Sequence, residues 1–185
     1  IHNLRGMLFG NSYYNQWRIR HHLNRDANLY TTHGLGPVAQ YMDIDRGDRF
    51  DYLTSMSSPA ASLAEHSKNV DRNDEFYNRD DFKHGDMNTS LIKTAKGRMI
   101  HLYHDVVTPR PYSRKNCLAG TKGYHEGYPS RLAVEGKGHG WLNDDDYKAM
   151  REKYNHPIWD RMKKEIELYG GHGGMDFVEM FRMID

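Results

Sequence analysis

Leu, Ile, Val and Phe together supply only about 18% of this 185-residue chain, less than the roughly 20% at which a sequence starts to lack the apolar area for a packed core. Whatever the chain folds into must therefore build its interior from other residue types as well. Disorder by composition needs a large net charge besides low hydrophobicity. Here 26 Lys and Arg face 25 Asp and Glu, for a net charge of +1. The missing area has to come from 13 Tyr, 10 Met and 3 Trp. Each of these joins an apolar body to a polar or adaptable tip, so clefts and half-wet interfaces are expected more than a dry aliphatic core. A chain of this length reads as one domain, residues 1–185.

No stretch approaches the roughly 20 apolar residues of a membrane span, and the first residues lack the charged and apolar blocks of a secretory leader. The single cysteine, Cys117, can form neither an internal disulfide nor a thiolate metal cage. Balanced, interspersed charge gives no electrostatic reason to expect a nucleic-acid partner. Helical spacing runs to both ends, through Ile1, Leu4, Met7 and Leu8 and through Phe177, Phe181 and Ile184 to Asp185. That is the pattern expected of a piece excised from a longer chain.

Along the chain, Ser12 to Arg25 mixes aromatic and basic residues, and a loop leads to Tyr30. Leu35 to Ile44 has helical spacing with Pro37 in a first turn, Thr32 to Gly36 forming the approach. Phe50 to Ser57 reads as a strand, Pro59 to Asn69 as a short helix, and polar Val70 to Asp86 as an exposed excursion. A hairpin is predicted from Thr89 to Val107 about Ala95 to Gly97, with further strands near Asn116 to Gly120 and Arg131 to Glu135. Asp144 to Asp146 open one helix, Pro157 a second that ends at Gly170, and a third follows GGHGG. Strands in the middle and helices at both ends predict an α+β fold with a mostly antiparallel open sheet and flanking helices.

Several strings invite chemistry that their context withholds. GLGPVA at Gly34 to Ala39 outlines a dinucleotide fingerprint, yet no buried strand precedes it, so it reads as a turn into a helix. GKGHG at Gly136 to Gly140 lacks the phosphate-loop ending and reads as a flexible connection. His101 and His104 sit three apart on a predicted strand and point to opposite faces. His104 then joins Ile100, Leu102 and Val106 as a packed residue, not a metal ligand. His21 and His22 read as solvated surface, and no metal is expected.

GGHGG, Gly170 to Gly174, stands out more. Four glycines are costly to order, so a mobile loop carrying His172 is the plausible gain, and a histidine can give and take a proton near neutrality. The alternative is a double-glycine helix cap with an incidental histidine. Earlier, YYNQWR at Tyr13 to Arg18 and YTTHG at Tyr30 to Gly34 set aromatic rings beside Arg, Asn, Thr and His. Sugar sites use such mixtures, since a pyranose offers apolar faces for stacking and hydroxyls for hydrogen bonds. Ordinary packing of aromatics is the competing reading.

YNQWR, YTTHGLGPVAQYM, TPRPYSR at Thr108 to Arg114, and GGHGG followed by Met175 to Phe177 together resemble glycoside hydrolase family 109. These are NAD-dependent α-N-acetylgalactosaminidases within the Gfo/Idh/MocA superfamily, and the resemblance runs in order over nearly the whole chain. It implies a bacterial protein whose N-terminal Rossmann domain, absent from this chain, holds NAD, with this chain as the α+β C-terminal domain that completes the sugar site. It further implies that Arg18, Tyr30, Thr31, Thr32, His33 and Tyr112 contact substrate and that His172 is the catalytic acid/base. Thr31 stands where some members carry proline. The reaction implied is transient oxidation at sugar C3, which acidifies the C2 proton, followed by elimination at C1, addition of water and return of the hydride. The implied partners are an N-acetylgalactosaminide glycan, the chain's own Rossmann domain and further copies in a homo-oligomer, with this fragment inactive alone. Two other readings stay open: a sugar or cyclitol oxidoreductase on the same scaffold, and a non-catalytic assembly module.

Overall fold

Apolar and polar residues alternate most regularly on either side of Ala95 to Gly97, and a strand with that period buries one face and leaves the other outside. In the computed structural model, strands β1 (Phe50–Ser57), β2 (Asn88–Thr94) and β3 (Met99–His104) form an antiparallel sheet in that order. Ser90, Ile92 and Thr94 of β2 and Ile100, Leu102 and His104 of β3 face inward, whereas Leu91, Met99, His101 and Tyr103 are exposed. The structure describes residues 4–10 and 14–184. Ile1, Ser12, Tyr13 and Asp185, which the sequence reading used, lie outside the described residues.

The chain divides into two compact units, residues 1–119 with 125–130, and residues 120–124 with 131–185. In the first, helices α1 (Arg5–Phe9), α2 (Trp17–Asn24), α3 (Thr32–Tyr41) and α4 (Ser62–Ser67) accompany the sheet. The interior gathers Leu4, Leu8, Ile19, Leu63, Val106 and Val107 around three phenylalanines. Phe9 meets Phe76 and Phe82 edge-on, with centroids 6.4 and 6.1 Å apart. Phe76 is wholly buried. The segment from Val70 to Asp86 is thus not the exposed excursion expected of it. Its charged residues face out while Phe76, Phe82 and His84 turn in, a pattern that neither helical nor strand periodicity reveals because the segment is irregular.

Helix α3 also starts earlier than its apolar spacing suggested, at Thr32, which places Pro37 inside it. Packing onto β3 offsets the lost hydrogen bond: a Cβ at Gly34 would lie 3.0 Å from Leu102 Cδ1, so glycine there allows the close approach. Beyond β3, the buried Asp105 carboxylate accepts from the Val107 and Thr108 amides at 3.3 and 3.1 Å, which fixes the entry into Thr108 to Arg114.

Strands β4 (Asn116–Ala119), β5 (Gly123–Gly127) and β6 (Arg131–Val134) form a second three-stranded sheet, antiparallel because its connections are too short for a crossover. β5 escaped the sequence reading, its two glycines and central Tyr-His-Glu carrying no apolar alternation. In the second unit, α5 (Asp144–Tyr154) is capped by Asn143, whose side chain accepts from the Asp146 amide at 2.9 Å. The single helix expected from Pro157 to Gly170 is two, α6 (Pro157–Arg161) and α7 (Lys163–Tyr169), broken where Met162 leaves helical geometry at φ −101° and ψ 13°. Helix α8 (Met175–Ile184) packs beside α7, with Tyr169 stacked on Phe177 at 6.0 Å. The α+β class holds. Replacing Phe76 with alanine should remove the hub of the phenylalanine cluster and destabilise the intact protein by about 3–5 kcal/mol, read as a shift in its denaturant midpoint.

Candidate functional site

Two left-handed residues, Asn15 and Gln16 (φ 53° and 49°), turn the chain into α2 and set Trp17 and Arg18 at its start. The Arg18 guanidinium then lies over the Trp17 ring at 4.6 Å and over the Tyr30 ring at 5.3 Å. Such contacts hold a cation in place without neutralising it. Tyr30 is positioned in turn by its amide, which donates to the Asn28 side-chain oxygen at 3.1 Å, and by stacking on His33 at 4.9 Å with the rings 15° apart. Arg18, Tyr30 and His33 are therefore neighbours in the structure.

Trp17, Arg18 and Tyr30 border a cleft of about 190 Å3, with His22, His104 and Val106 among its other lining residues. Thr31 and Thr32 do not line it. They form the start of α3, where the Thr31 carbonyl accepts from the Gly34 and Leu35 amides at 3.0 and 2.8 Å. Tyr112 is also outside the lining, exposed on the segment that Asp105 anchors.

His22 departs from its expected place on the surface, being only 2% exposed. It lies three residues beyond Ile19 on the buried side of α2, and that spacing was the available signal. Its ring stands 4.3 Å from that of His84, which stands 5.3 Å from His104. His104 is buried among its apolar neighbours, as strand alternation predicted. Nδ1 of His22 and both ring nitrogens of His104 are sealed from solvent without a hydrogen-bond partner, and those of His84 are sealed near the Ala27 main chain. Burial, with His84, His104, Arg18 and His21 nearby, pushes His22 down to about 3. Burial and His84 push His104 down to about 4, against a smaller opposing pull from Asp105. His84 is lowered by burial too, partly offset by Asp26, the Ala27 main chain and Asp86. All three rings are neutral near pH 7.

In the second unit, His172 sits in a short turn, His172–Gly174, immediately before α8. It is exposed and left-handed (φ 47°), and its Nδ1 lies 3.0 and 2.9 Å from the two Asp176 carboxylate oxygens. Sequence reasoning missed Asp176, although the four-residue spacing was visible. In the tautomer that carries its proton on Nδ1, the ring donates to Asp176 and leaves Nε2 as the acceptor, an arrangement acid/base catalysis uses. Three of the four glycines have a packing reason: a Cβ at Gly170 would clash with the Ile166 carbonyl, one at Gly171 with the Asp176 carboxylate, and one at Gly174 (φ 93°) with the Ile166 side chain.

Among the described residues, no group of three or more His, Cys, Asp or Glu is arranged to hold a metal ion, and no helix is long and apolar enough to cross a membrane. Gly34 to Ala39 lies inside α3, so it is not the strand-to-helix turn that cradles a dinucleotide.

The first unit thus carries an aromatic, arginine-bearing cleft, and the second an exposed His–Asp pair before a helix. Residues 2–185 match the family described as "Glycosyl hydrolase 109, C-terminal domain", and the chain belongs to that family. It is 54% identical over 173 residues to a protein of Shewanella oneidensis named alpha-N-acetylgalactosaminidase. It is 55% identical, over the same length, to glycosyl hydrolase family 109 proteins of Shewanella baltica and Shewanella putrefaciens. In each case the match covers 91% of this chain and 37% of the relative.

The buried histidines give the stability a pH signature. On acidification the unfolded chain takes up protons near pH 6.5, whereas the folded rings refuse them until about 4 for His104 and about 3 for His22. Stability from these rings is fully present above the unfolded value and is lost as pH falls below it, by up to about 1.4 kcal/mol per pH unit for each ring. Urea midpoints should therefore drop between about pH 6.5 and 4.5, and midpoints that stay level across that window would contradict the buried, neutral assignment.

Proposed function

We propose that this chain is the sugar-binding C-terminal part of an NAD-dependent glycosidase that removes terminal N-acetylgalactosamine. The observation that carries the reading is the Trp17–Arg18–Tyr30 array at the cleft, with His33 stacked on Tyr30, in a chain that is 54% identical to a relative named for that activity. Relatives are much longer, this chain spanning 37% of their length. No described segment of it offers a dinucleotide cradle. NAD is accordingly assigned to the remainder of the protein, in an N-terminal Rossmann domain, and the chain alone is expected to be inert. When bound, NAD supplies a place for the hydride of sugar C3 and returns it afterwards.

The residues of this chain are assigned the rest. Arg18, fixed between two rings, holds and polarises the sugar by charge-assisted hydrogen bonds. Tyr30 and His33 add a stacked wall with hydroxyl and imidazole edges. Tyr112 contributes a further phenol, and Thr31 and Thr32 shape the loop that carries Tyr30. His172 moves the proton at the glycosidic oxygen, with Asp176 as its positioning residue.

A separate observation supports a role in association. Tyr52, Met56, Leu91, Met99 and Tyr103 leave one face of the first sheet exposed and apolar, which favours contact with the remainder of the protein or with further copies in a homo-oligomer.

In the intact protein, cleavage of para-nitrophenyl N-acetyl-α-galactosaminide should need NAD without consuming it. His172→Ala should lower kcat by roughly 10²–10⁴-fold, and Asp176→Asn by a smaller factor in the same direction. Arg18→Ala should lower kcat/KM. Steady accumulation of NADH would identify a sugar oxidoreductase instead. Unchanged cleavage by His172→Ala and Arg18→Ala, with altered association, would leave only the assembly role.

A further inference from the structure

The cleft of the first unit is bordered by charges of one sign. Arg18, His21 and Arg25 follow one another at helical spacing along α2 and its C-cap, which puts them on a single face, and all three line the cleft. Among the described residues that line it there is no aspartate or glutamate. In a chain with 26 basic and 25 acidic residues, such a lining is a local departure from the mixture of signs elsewhere. The carboxylates that could have balanced it are engaged away from it. Asp26, next to Arg25, accepts from the Gly85 amide at 3.1 Å, and Glu75 pairs with Arg20, which leaves α2 on another side.

Arg18 lies over the Trp17 and Tyr30 rings and is assigned to the sugar hydroxyls. Arg25 has no such assignment. Among the described residues no hydrogen bond, ion pair or ring contact engages its side chain, and only its amide is fixed, donating to the His21 carbonyl at 2.9 Å. His21, between the two arginines on that face, is held edge-on to Trp17 with centroids 5.8 Å apart. A guanidinium is a fork of donors with no acceptor, and a carboxylate or sulfate meets two of its N–H groups at once while balancing its charge. Leu4, Leu29 and Val106 line the same cleft, and beside such apolar walls a charge-assisted bond is worth more than an ion pair on open surface. Seven residues of helix separate Arg25 from Arg18 by roughly 10 Å along the axis, a span that a substituent on the bound sugar or on the next ring can cover.

We propose that Arg25, with His21 beside it, binds an oxyanion carried by the glycan, a sulfate ester or a carboxylate, and that the preferred substrates are therefore acidic glycans ending in N-acetylgalactosamine. The neutral sugar meets Arg18 and Tyr30, and the charged substituent lies toward the C-terminal end of α2. This inference rests on the glycosidase reading and adds to it the charge of the substrate.

The test uses two substrate pairs with the intact enzyme: para-nitrophenyl N-acetyl-α-galactosaminide against its 6-sulfate, and N-acetylgalactosamine α-linked to glucose against the same sugar α-linked to glucuronate. In one pair the acidic member should show a kcat/KM about five- to tenfold higher, an effect between that of an exposed ion pair and that of a buried charge-assisted bond. A preference in the first pair puts the anion on the terminal sugar, and one in the second puts it on the next ring. Arg25→Gln should bring that ratio close to one, Arg25→Lys should keep part of it, and added salt should shrink it in the wild type. Equal values within both pairs, or a ratio that Arg25→Gln leaves unaltered, would overturn the proposal. Calorimetric titration of the same four ligands into intact His172→Ala protein reads binding without turnover, and the acidic member of one pair should bind more tightly. Equal binding within both pairs counts against the proposal as well. Failure of the wild type to cleave any of the four, with tighter binding of an acidic member, defeats the glycosidase reading and leaves the anion site standing. Cleavage of all four at equal rates defeats this inference alone.

Discussion

Everything in the first unit depends on closing an interior with too few aliphatic side chains. The solution is aromatic: Phe9 meets Phe76 and Phe82 edge to face, and the buried rings of His22, His84 and His104 meet one another at tilted and edge-on angles. Aromatic rings bury large areas and prefer tilted contacts, so a few of them replace many leucines. Imidazoles join such an interior only as neutral rings, because burying a positive charge among apolar groups is too expensive. The fold thus fixes both a core and a protonation state with the same contacts.

That core also places the candidate site. α2 is anchored by Ile19 and His22 on its buried side, which leaves Trp17 and Arg18 at its start to border the cleft. α3 is pressed onto β3 through the space left at Gly34, and its first turn carries His33 against Tyr30. Arg18 is accordingly flanked by the Trp17 and Tyr30 rings. His172 obtains its restraint differently, from a carboxylate one helical turn ahead of it in the second unit.

The exposed sheet face and the cleft, in a member of glycoside hydrolase family 109, fit the composition. A domain that presents an open apolar sheet face and a cleft needs amphipathic side chains, and Tyr52, Tyr103, Met56 and Met99 are placed accordingly. Glycosidases commonly place two carboxylates about the scissile bond, whereas the groups singled out in this chain are an arginine, tyrosines and histidines. Such groups suit positioning and proton transfer.

The sequence by itself determined the α+β class, the hairpin β2–β3 and the inward side of His104. Alternation, turn residues and motif order are local properties that survive being read in one dimension. Val70 to Asp86 hid two core phenylalanines because an irregular segment has no period to reveal its inward side. His22 and Asp176 were passed over for a related reason. Their significance lies in what other parts of the chain bring against them: His84 and His104 around one, and the left-handed turn at His172 against the other. Burial and ring contact across 60 or more residues of sequence are set by packing, so only the tertiary structure could decide that a histidine written among arginines is a neutral part of the core.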